Sequence, residues 1–140
     1  MTLLIDAIPL VALADPAEPR RQKILESLGG EPGSLVVPAP TTAEIDYLLG
    51  RRFGRAARRA FLTDLAVGRF IVPGLDPDDC ATIVGLEARY EDLDLGLADC
   101  ALIVLADRYR TDRILTFDER HFRAVTQLSG KPFTVLPADA

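Results

Sequence analysis

Short apolar runs alternate with longer segments of helical periodicity along the whole chain, and this alternation constrains the fold more than any other feature. Each run places apolar residues on consecutive positions, as expected of strands that are buried on both faces. The runs span residues 3–5, 35–37, 70–72, 114–116 and 133–136. The helical segments span residues 17–28, 41–53, 55–67, 76–91 and 96–110. This order predicts an α/β domain in which a parallel sheet of about five strands is flanked by helices.

The length and composition are those of one compact domain over residues 1–140. The chain has 140 residues, of which 49% are hydrophobic and 26% charged, so it can bury a sizeable core. No apolar run reaches the roughly 18 residues of a membrane helix. The apolar N-terminus lacks a basic region and carries Asp6, so we predict no signal peptide and a cytoplasmic protein. Cys80 and Cys100 form no C-x-x-C motif and have no histidine nearby, which argues against a zinc site.

Four acids fall where a parallel sheet of this kind places its working groups, at the carboxyl ends of the strands. Asp6 directly follows the first apolar run, and Asp118 follows the fourth after one intervening residue. Glu44 lies in the first turns of the helix after the second run, and Asp99 lies near the start of the helix that leads to the fourth. For Glu44 and Asp99 taken singly, a favourable interaction with the helix dipole also explains the acid.

Asp6 stands between two apolar segments, which makes burial of its carboxylate the natural expectation. A buried carboxylate is costly unless it is paired or bound to a cation, and the first basic residue after it is Arg20. Several acids that converge would also raise one another's pKa values. A divalent cation removes that repulsion, and ligands that are all oxygen favour Mg²⁺ or Mn²⁺. His121, the only histidine, is interpreted as a surface or helix-start residue.

Four stretches of the chain resemble segments of PIN-domain ribonucleases, and in particular of the VapC-type toxins of bacterial toxin–antitoxin pairs. LLIDAIPLVALAD, TTAEIDYLL, LGLADCALIVLADRY and RILTFDERHF are similar to the segments that bear the four acids of that family, in the same order. The resemblance implies that Asp6, Glu44, Asp99 and Asp118 are the catalytic acids and the metal ligands. We expect Asp6 and Asp99 to bind Mg²⁺ or Mn²⁺ directly, and Glu44 and Asp118 to act through water or to orient the nucleophile.

The resemblance also implies a fold, an activity and partners. The fold is a PIN-like parallel sheet flanked by helices, and the activity is endonucleolytic cleavage of tRNA, rRNA or mRNA that inhibits translation. The implied partners are a VapB-like antitoxin and a second copy of the chain, with no membrane partner. The family usually has Thr or Ser within two positions of its first aspartate, whereas Ala7 and Ile8 follow Asp6 here. We expect backbone amides of the following helix to support Asp6, or Asp6 to be held less firmly.

Five arginines between positions 51 and 59 offer a basic surface on a chain whose net charge is −5. On a continuous helix, Arg51, Arg55 and Arg59 would share one side. We therefore predict that Arg51, Arg52, Arg55 and Arg59 contact RNA phosphates. A solvated helix face, or a surface that pairs with acids of the antitoxin, explains the same pattern.

Two other readings of the acids remain open at this point. A catalytically weakened PIN module that acts by binding a partner is compatible with Ala7 and Ile8. A phospho-receiver domain also combines five strands, clustered acids and Mg²⁺, and Lys131–Pro132 is similar to its lysine–proline step. Against the receiver, only one acid follows the first strand, and the third predicted strand runs into Pro73 rather than an aspartate.

Overall fold

The computed structural model describes residues 1–30 and 33–140. Within these ranges the chain forms four strands, seven α-helices and one turn of 3-10 helix, residues Glu91–Leu93. The strands are β1 Leu3–Ile5, β2 Leu35–Val36, β3 Arg113–Leu115 and β4 Thr134–Leu136. The helices are α1 Ala7–Ala12, α2 Arg21–Gly29, α3 Ala39–Phe53, α4 Arg55–Ala66, α5 Pro77–Arg89, α6 Leu97–Arg108 and α7 Glu119–Ala124. None of the helices in these ranges is long and apolar enough to cross a membrane.

The four strands form one parallel sheet in the order β2-β1-β3-β4, so the α/β prediction is confirmed. Leu4 of β1 lies beside Val36 of β2 and beside Ile114 of β3, and Ile114 lies beside Val135 of β4. The two central strands therefore come from the beginning of the chain and from its last third.

The predicted strand at 70–72 is reduced to a single bridge at the β2 edge of the sheet. Ile71 pairs in parallel with Val36; its amide donates to the carbonyl of Leu35 (2.8 Å), and its carbonyl accepts from the amide of Val37 (2.9 Å). Pro73 follows two residues later and has no N–H to extend a ladder. A fifth segment thus joins the sheet without becoming a regular strand.

Successive residues of each strand point to opposite faces of the sheet, and each face is covered by helices. Leu4, Ile114 and Val135 belong to a core that includes side chains of α5, α6 and α7. The second core lies on the other face and contains side chains of the neighbouring strand positions and of α1 to α4. In α6, every residue of the run Cys100–Ala106 is buried. This burial on all sides explains the apolar composition of α6.

Two helix boundaries differ from the predictions for local reasons. α2 begins at Arg21, four residues after the predicted start, because Pro19 disfavours helical geometry in the residue before it. α3 begins at Ala39, ahead of the expected cap at Thr41 or Thr42, because Pro40 lies in the first turn, where its missing N–H has no helical partner to lose.

The direction of α6 decides where Asp99 lies. Only residues 109–112 connect α6 to β3, so the helix must run antiparallel to the strand that follows it. The first turn of α6 therefore lies at the carboxyl edge of the sheet. The periodicity of the sequence did not determine at which edge of the sheet Asp99 lies.

Candidate active site

The first acid is held by two hydrogen bonds at the carboxyl end of β1. Asp6 caps the N-terminus of α1, and its Oδ1 accepts from the amide of Ala7 at 2.8 Å. Its Oδ2 accepts from the Thr116 hydroxyl, also at 2.8 Å. Thr116 is 1% exposed, and the same hydroxyl oxygen accepts from the amide of Asp118 at 3.0 Å. One buried hydroxyl thus connects the first acid to the loop that carries the fourth.

These two hydrogen bonds hold the Asp6 carboxylate although neither Ala7 nor Ile8 carries a hydroxyl. The expected backbone amide is present, because the amide of Ala7 donates to the Asp6 carboxylate. The second donor, Thr116, was missed by sequence reasoning. The register of β1 and β3 brings it there, since Ile5 pairs with Leu115 and the next residue of each strand follows in step.

A compact group forms where α6 and α7 begin. Asp118 caps α7 and accepts the amide of His121 at 3.1 Å, and the amide of Gly96 donates to Asp99 at 3.3 Å. His121 Nδ1 lies 2.7 Å from Asp118 Oδ2 and 3.5 Å from Asp99 Oδ2. One ligand atom from each of Asp99, Asp118 and His121 lies within 4.8 Å of the other two, close enough to share one cation.

Burial and mutual repulsion shape the charge of Asp6. Burial raises the pKa of Asp6 to about 6, despite the two hydrogen bonds from Thr116 and Ala7 that favour the ionised form. The negative charges of Asp99 and Glu44 raise this pKa further. The site therefore holds negative charge that nearby protein groups only partly compensate.

Asp99 shows the same kind of perturbation. Burial raises the pKa of Asp99, the amide of Gly96 and a charge on His121 lower it, and the negative charge of Asp118 raises it again. A cation placed among these carboxylates would relieve both the desolvation and the repulsion.

Glu44 lies near this group but outside it. It is exposed on α3, and its charge is close enough to act on Asp6. Among the described residues, neither Glu44 nor Asp6 joins Asp99 and Asp118 in a group as compact as the one with His121. All four predicted acids lie at this end of the molecule, and the division into direct and water-mediated ligands stays a prediction.

The donor set suits a divalent cation of the kind that the sequence predicted. Carboxylate oxygens are the preferred ligands of Mg²⁺ and Mn²⁺, and imidazole nitrogen is accepted by Mn²⁺ and later transition metals. His121 Nδ1 is shielded from solvent and makes no hydrogen bond of acceptable geometry within the described residues. A protonated Nδ1 pairs with Asp118 and Asp99, whereas a neutral Nδ1 would need a cation between it and these carboxylates.

The arginine-rich segment is not a continuous helix, so the expectation that Arg51, Arg55 and Arg59 share one helical side is wrong. α3 ends at Phe53 and α4 begins at Arg55. Gly54 between them has a φ of +88°, a left-handed value that glycine adopts without steric cost. The arginines are therefore divided between two helices.

The arginines also differ in their surroundings. Arg58 Nε lies 3.1 Å from Asp46 Oδ1, and its guanidinium packs over Gly50 on the neighbouring helix. The four arginines predicted to contact RNA share an exposed position: Arg51, Arg52, Arg55 and Arg59. These side chains can therefore still reach RNA phosphates, although they lie on two helices and not on one.

One further cation packs against the loop that carries Asp118. The guanidinium carbon of Arg20 is 3.5 Å from the centre of the Phe117 ring, and Phe117 lies in sequence between Thr116 and Asp118. Arg20 also pairs with Glu18 at 2.7 Å, so part of its charge is neutralised. Sequence reasoning had no basis for placing it here, although the spacing T-x-D-x-x-H from residue 116 to 121 could have indicated the hydroxyl and the imidazole.

The sequence profile of the PIN domain family matches residues 3–128. The chain is 38% identical over 135 residues to Ribonuclease VapC26 of Mycobacterium tuberculosis, and the match covers 96% of this chain and all of that protein. Among solved structures, VapC20 of Mycobacterium tuberculosis, described as a sarcin-ricin loop cleaving toxin, is similar with a TM-score of 0.74 and 15% identity over 84% of this chain and 90% of that one.

A second solved structure, VapBC2 from Rickettsia felis bound to a DNA fragment from its promoter, is similar with a TM-score of 0.68 and 14% identity. That match covers 96% of this chain and 98% of the other. At these low identities the two solved structures show only that the fold is shared. The family match and the 38% identity to VapC26 show that the chain is related to these proteins by sequence. The chain belongs to the PIN-domain family, in the branch of the VapC ribonucleases.

Proposed function

We propose that this protein is a divalent-metal-dependent endoribonuclease that acts as the toxin of a toxin–antitoxin pair and inhibits translation by cutting cellular RNA. One observation carries the proposal: the carboxylates of Asp6, Asp99 and Asp118 converge at one edge of the sheet with more negative charge than their protein neighbours offset. A fold that only needed a core would not tolerate this cost.

Mg²⁺ or Mn²⁺ is the cofactor in this proposal, held by the acids Asp6, Glu44, Asp99 and Asp118. When bound, such an ion supplies Lewis acidity toward a phosphodiester and neutralises charge. The protein's own part is to keep the ligands in place. The Thr116 hydroxyl orients Asp6, and the amides of α6 and α7 orient Asp99 and Asp118. Preorganised ligands of this kind need little rearrangement when the cation or the substrate arrives.

The RNA backbone is proposed to approach across Arg20 and the exposed arginines of α3 and α4. Arg51 follows Glu44 by seven residues on α3, which corresponds to about 10 Å along the helix axis. At this separation from Glu44, the arginines are proposed to position the RNA rather than to act on the scissile bond. Basic groups at this distance also offset the repulsion between RNA and an acidic site.

The proposed partners are an antitoxin, encoded with this protein, and a second copy of the chain. The support for the antitoxin is the relation to VapC proteins, one of which was solved as VapBC2. The place of action in this proposal is the cytoplasm, where the RNA substrates are.

Cleavage of an RNA with a fluorophore and a quencher, in EDTA and in increasing Mn²⁺ or Mg²⁺, tests the activity. We expect cleavage by the wild type only with metal, and a loss of at least about a hundredfold in Asp99→Asn and Asp118→Asn, since even indirect support of a metal ligand is worth about 10- to 100-fold. Asp94→Asn is the matched control, because Asp94 is exposed and its left-handed backbone suits asparagine.

Two results would contradict the proposal. Cleavage that is the same in EDTA would remove the metal from the reaction. If no RNA is cut at any metal concentration, the alternative of a PIN module that acts by partner binding becomes the better account. Support for Asp6 from Thr116 argues against that alternative, because a hydroxyl holds the Asp6 carboxylate although Ala7 and Ile8 carry none.

A further inference from the structure

We infer that His121 is a nitrogen ligand of the divalent cation in this site, and that it makes the site selective for Mn²⁺ and later first-row metals over Mg²⁺. This inference rests on the metal-dependent function proposed above and specifies its cofactor. Four oxygen donors alone would leave Mg²⁺ and Mn²⁺ less clearly distinguished, because both accept carboxylates.

The distances around His121 fit a shared cation. Ligands at about 2.1 Å from an octahedral ion lie about 3 Å apart when they are adjacent. His121 Nδ1 lies 2.7 Å from Asp118 Oδ2 and 3.5 Å from Asp99 Oδ2, and these two values bracket that separation. The three side chains therefore need little movement to become neighbouring ligands of one ion, and this inference makes Asp118 a direct ligand rather than one that acts through water.

The local structure orients the imidazole toward the acids. Asp118 caps α7 and His121 is the third residue of that helix, so the spacing of three places both side chains on the same side. The amide of His121 donates to Asp118 Oδ1, which leaves Oδ2 facing the ring. A carboxylate and a histidine three residues apart on a helix are a recurrent ligand pair in metalloproteins.

The hydrogen bonding of Nδ1 favours a ligand over a mere structural contact. Nδ1 is shielded from solvent, and its approach to the two carboxylates lacks hydrogen-bond geometry. An imidazole that only braced Asp118 would be expected to direct an N–H at one of its oxygens. In its neutral form Nδ1 would place a lone pair 2.7 Å from one carboxylate oxygen and 3.5 Å from another, an arrangement that is favourable only with a cation among them.

The composition of the chain makes the test unambiguous, because His121 is its only histidine. Pulsed EPR of untagged protein loaded with Mn²⁺ detects nitrogen that is bound directly to the ion. We expect an imidazole nitrogen coupling in the wild type that changes when the protein is produced with ¹⁵N-histidine. Any such change must come from His121.

Calorimetric titration with Mn²⁺ and with Mg²⁺ supplies the second readout. In His121→Asn the amide oxygen can occupy the place of Nδ1, so an oxygen ligand replaces the nitrogen while a polar contact to Asp118 is kept. We expect Mn²⁺ affinity to fall about 10- to 100-fold and Mg²⁺ affinity to change much less. His121→Leu removes any ligand at this place, and we expect it to weaken the binding of both ions.

The outcomes separate this inference from the proposed function. Mn²⁺ that binds without a coupling sensitive to the ¹⁵N label refutes the role of His121 and leaves the metal-dependent nuclease intact. An unchanged ratio of Mn²⁺ to Mg²⁺ affinity in His121→Asn refutes it as well and makes His121 a positioning residue for Asp118. Failure of the wild type to bind either ion refutes both the inference and the proposed function.

Discussion

Asp6→Asn should stabilise the metal-free protein at neutral pH while it abolishes metal-dependent cleavage. The reason is that Asp6 is ionised at neutral pH in a place where burial and two neighbouring acids oppose the charge. Asparagine has nearly the same shape and no charge. Its oxygen can still accept from the amide of Ala7, as Asp6 Oδ1 does at 2.8 Å.

The magnitude follows from the shift in pKa. The pKa of Asp6 rises from 3.8 to about 6, roughly two units, which corresponds to about 3 kcal/mol of unfavourable free energy when the group is ionised. The variant also loses an acceptor for the Thr116 hydroxyl, at a cost of about 1 kcal/mol. We expect a net gain of about 1–2 kcal/mol in the free energy of unfolding at pH 7.5, or roughly 5 °C in Tm.

The sign of the stability difference between Asp6→Asn and the wild type depends on pH. Between pH 3.8 and about 6 the folded protein binds a proton at Asp6 more tightly than the unfolded chain does, so this residue makes the wild type less stable as pH rises. The penalty is complete above pH 6 and absent below pH 3.8. The variant should therefore be more stable than the wild type at pH 7.5 and equal or less stable near pH 4.

Urea unfolding of both proteins in EDTA, at several pH values from 4 to 7.5, measures this difference. Groups that do not interact with Asp6 contribute equally to both proteins and cancel in the comparison, whereas the repulsion of Asp6 with Asp99 and Glu44 is part of the difference that is measured. Asp94→Asn, which changes an exposed carboxylate, should show no such trend. If Asp6→Asn is less stable than the wild type at pH 7.5, or if the difference does not vary with pH, the account of a buried, repelled carboxylate is refuted.

Three further predictions concern other parts of the molecule. Thr116→Val removes the shared hydroxyl and should weaken Mn²⁺ binding about 10- to 100-fold, whereas Thr116→Ser should not; calorimetry distinguishes them. If three exposed arginines contact RNA phosphates, replacing all three with Gln should lower the slope of log affinity against log salt by just under about one unit per lost contact. An unchanged slope would mean that they face solvent or the antitoxin. The arginines are Arg51, Arg55 and Arg59. The pKa of Asp139 is lowered to about 2 by Arg123 and by the amide of Val135, so the ionised carboxylate should stabilise the fold above pH 4 and lose this effect as pH falls to 2. Asp139→Asn should therefore be less stable than the wild type at pH 7. Acid unfolding followed by circular dichroism should show that this difference disappears near pH 2.

The class of fold and the order of the acids could be predicted from local patterns in the sequence. Strands that are buried on both faces must be apolar at consecutive positions, and helices must repeat their apolar residues every three or four, so both patterns are local and readable. The same local logic placed Asp6 and Asp118 at strand ends. It also separated the helices at Gly54, a break that divides Arg51 from Arg55 and Arg59.

Local patterns failed where a residue's role depends on partners far along the chain. Ile71 lies in an apolar run like the other strands, but its position at the edge of the sheet and the proline that follows leave it a single bridge. His121 was interpreted as a surface or helix-start residue, and it does lie in the first turn of α7, but nothing near it in sequence shows that Asp99 lies across from it. The orientation of α6, which brings Asp99 there, depends on the packing of that helix against the sheet.

The support of Asp6 is the clearest case of a feature that depends on contacts between distant parts of the chain. Its hydroxyl donor, Thr116, is 110 residues away in sequence. They meet because β1 and β3 are neighbours in a register that pairs Ile5 with Leu115, and because the Asp6 amide donates to the Leu115 carbonyl at 3.0 Å. Strand neighbours and register are set by which apolar faces pack together in the whole molecule, and a periodic pattern within one strand carries no information about either.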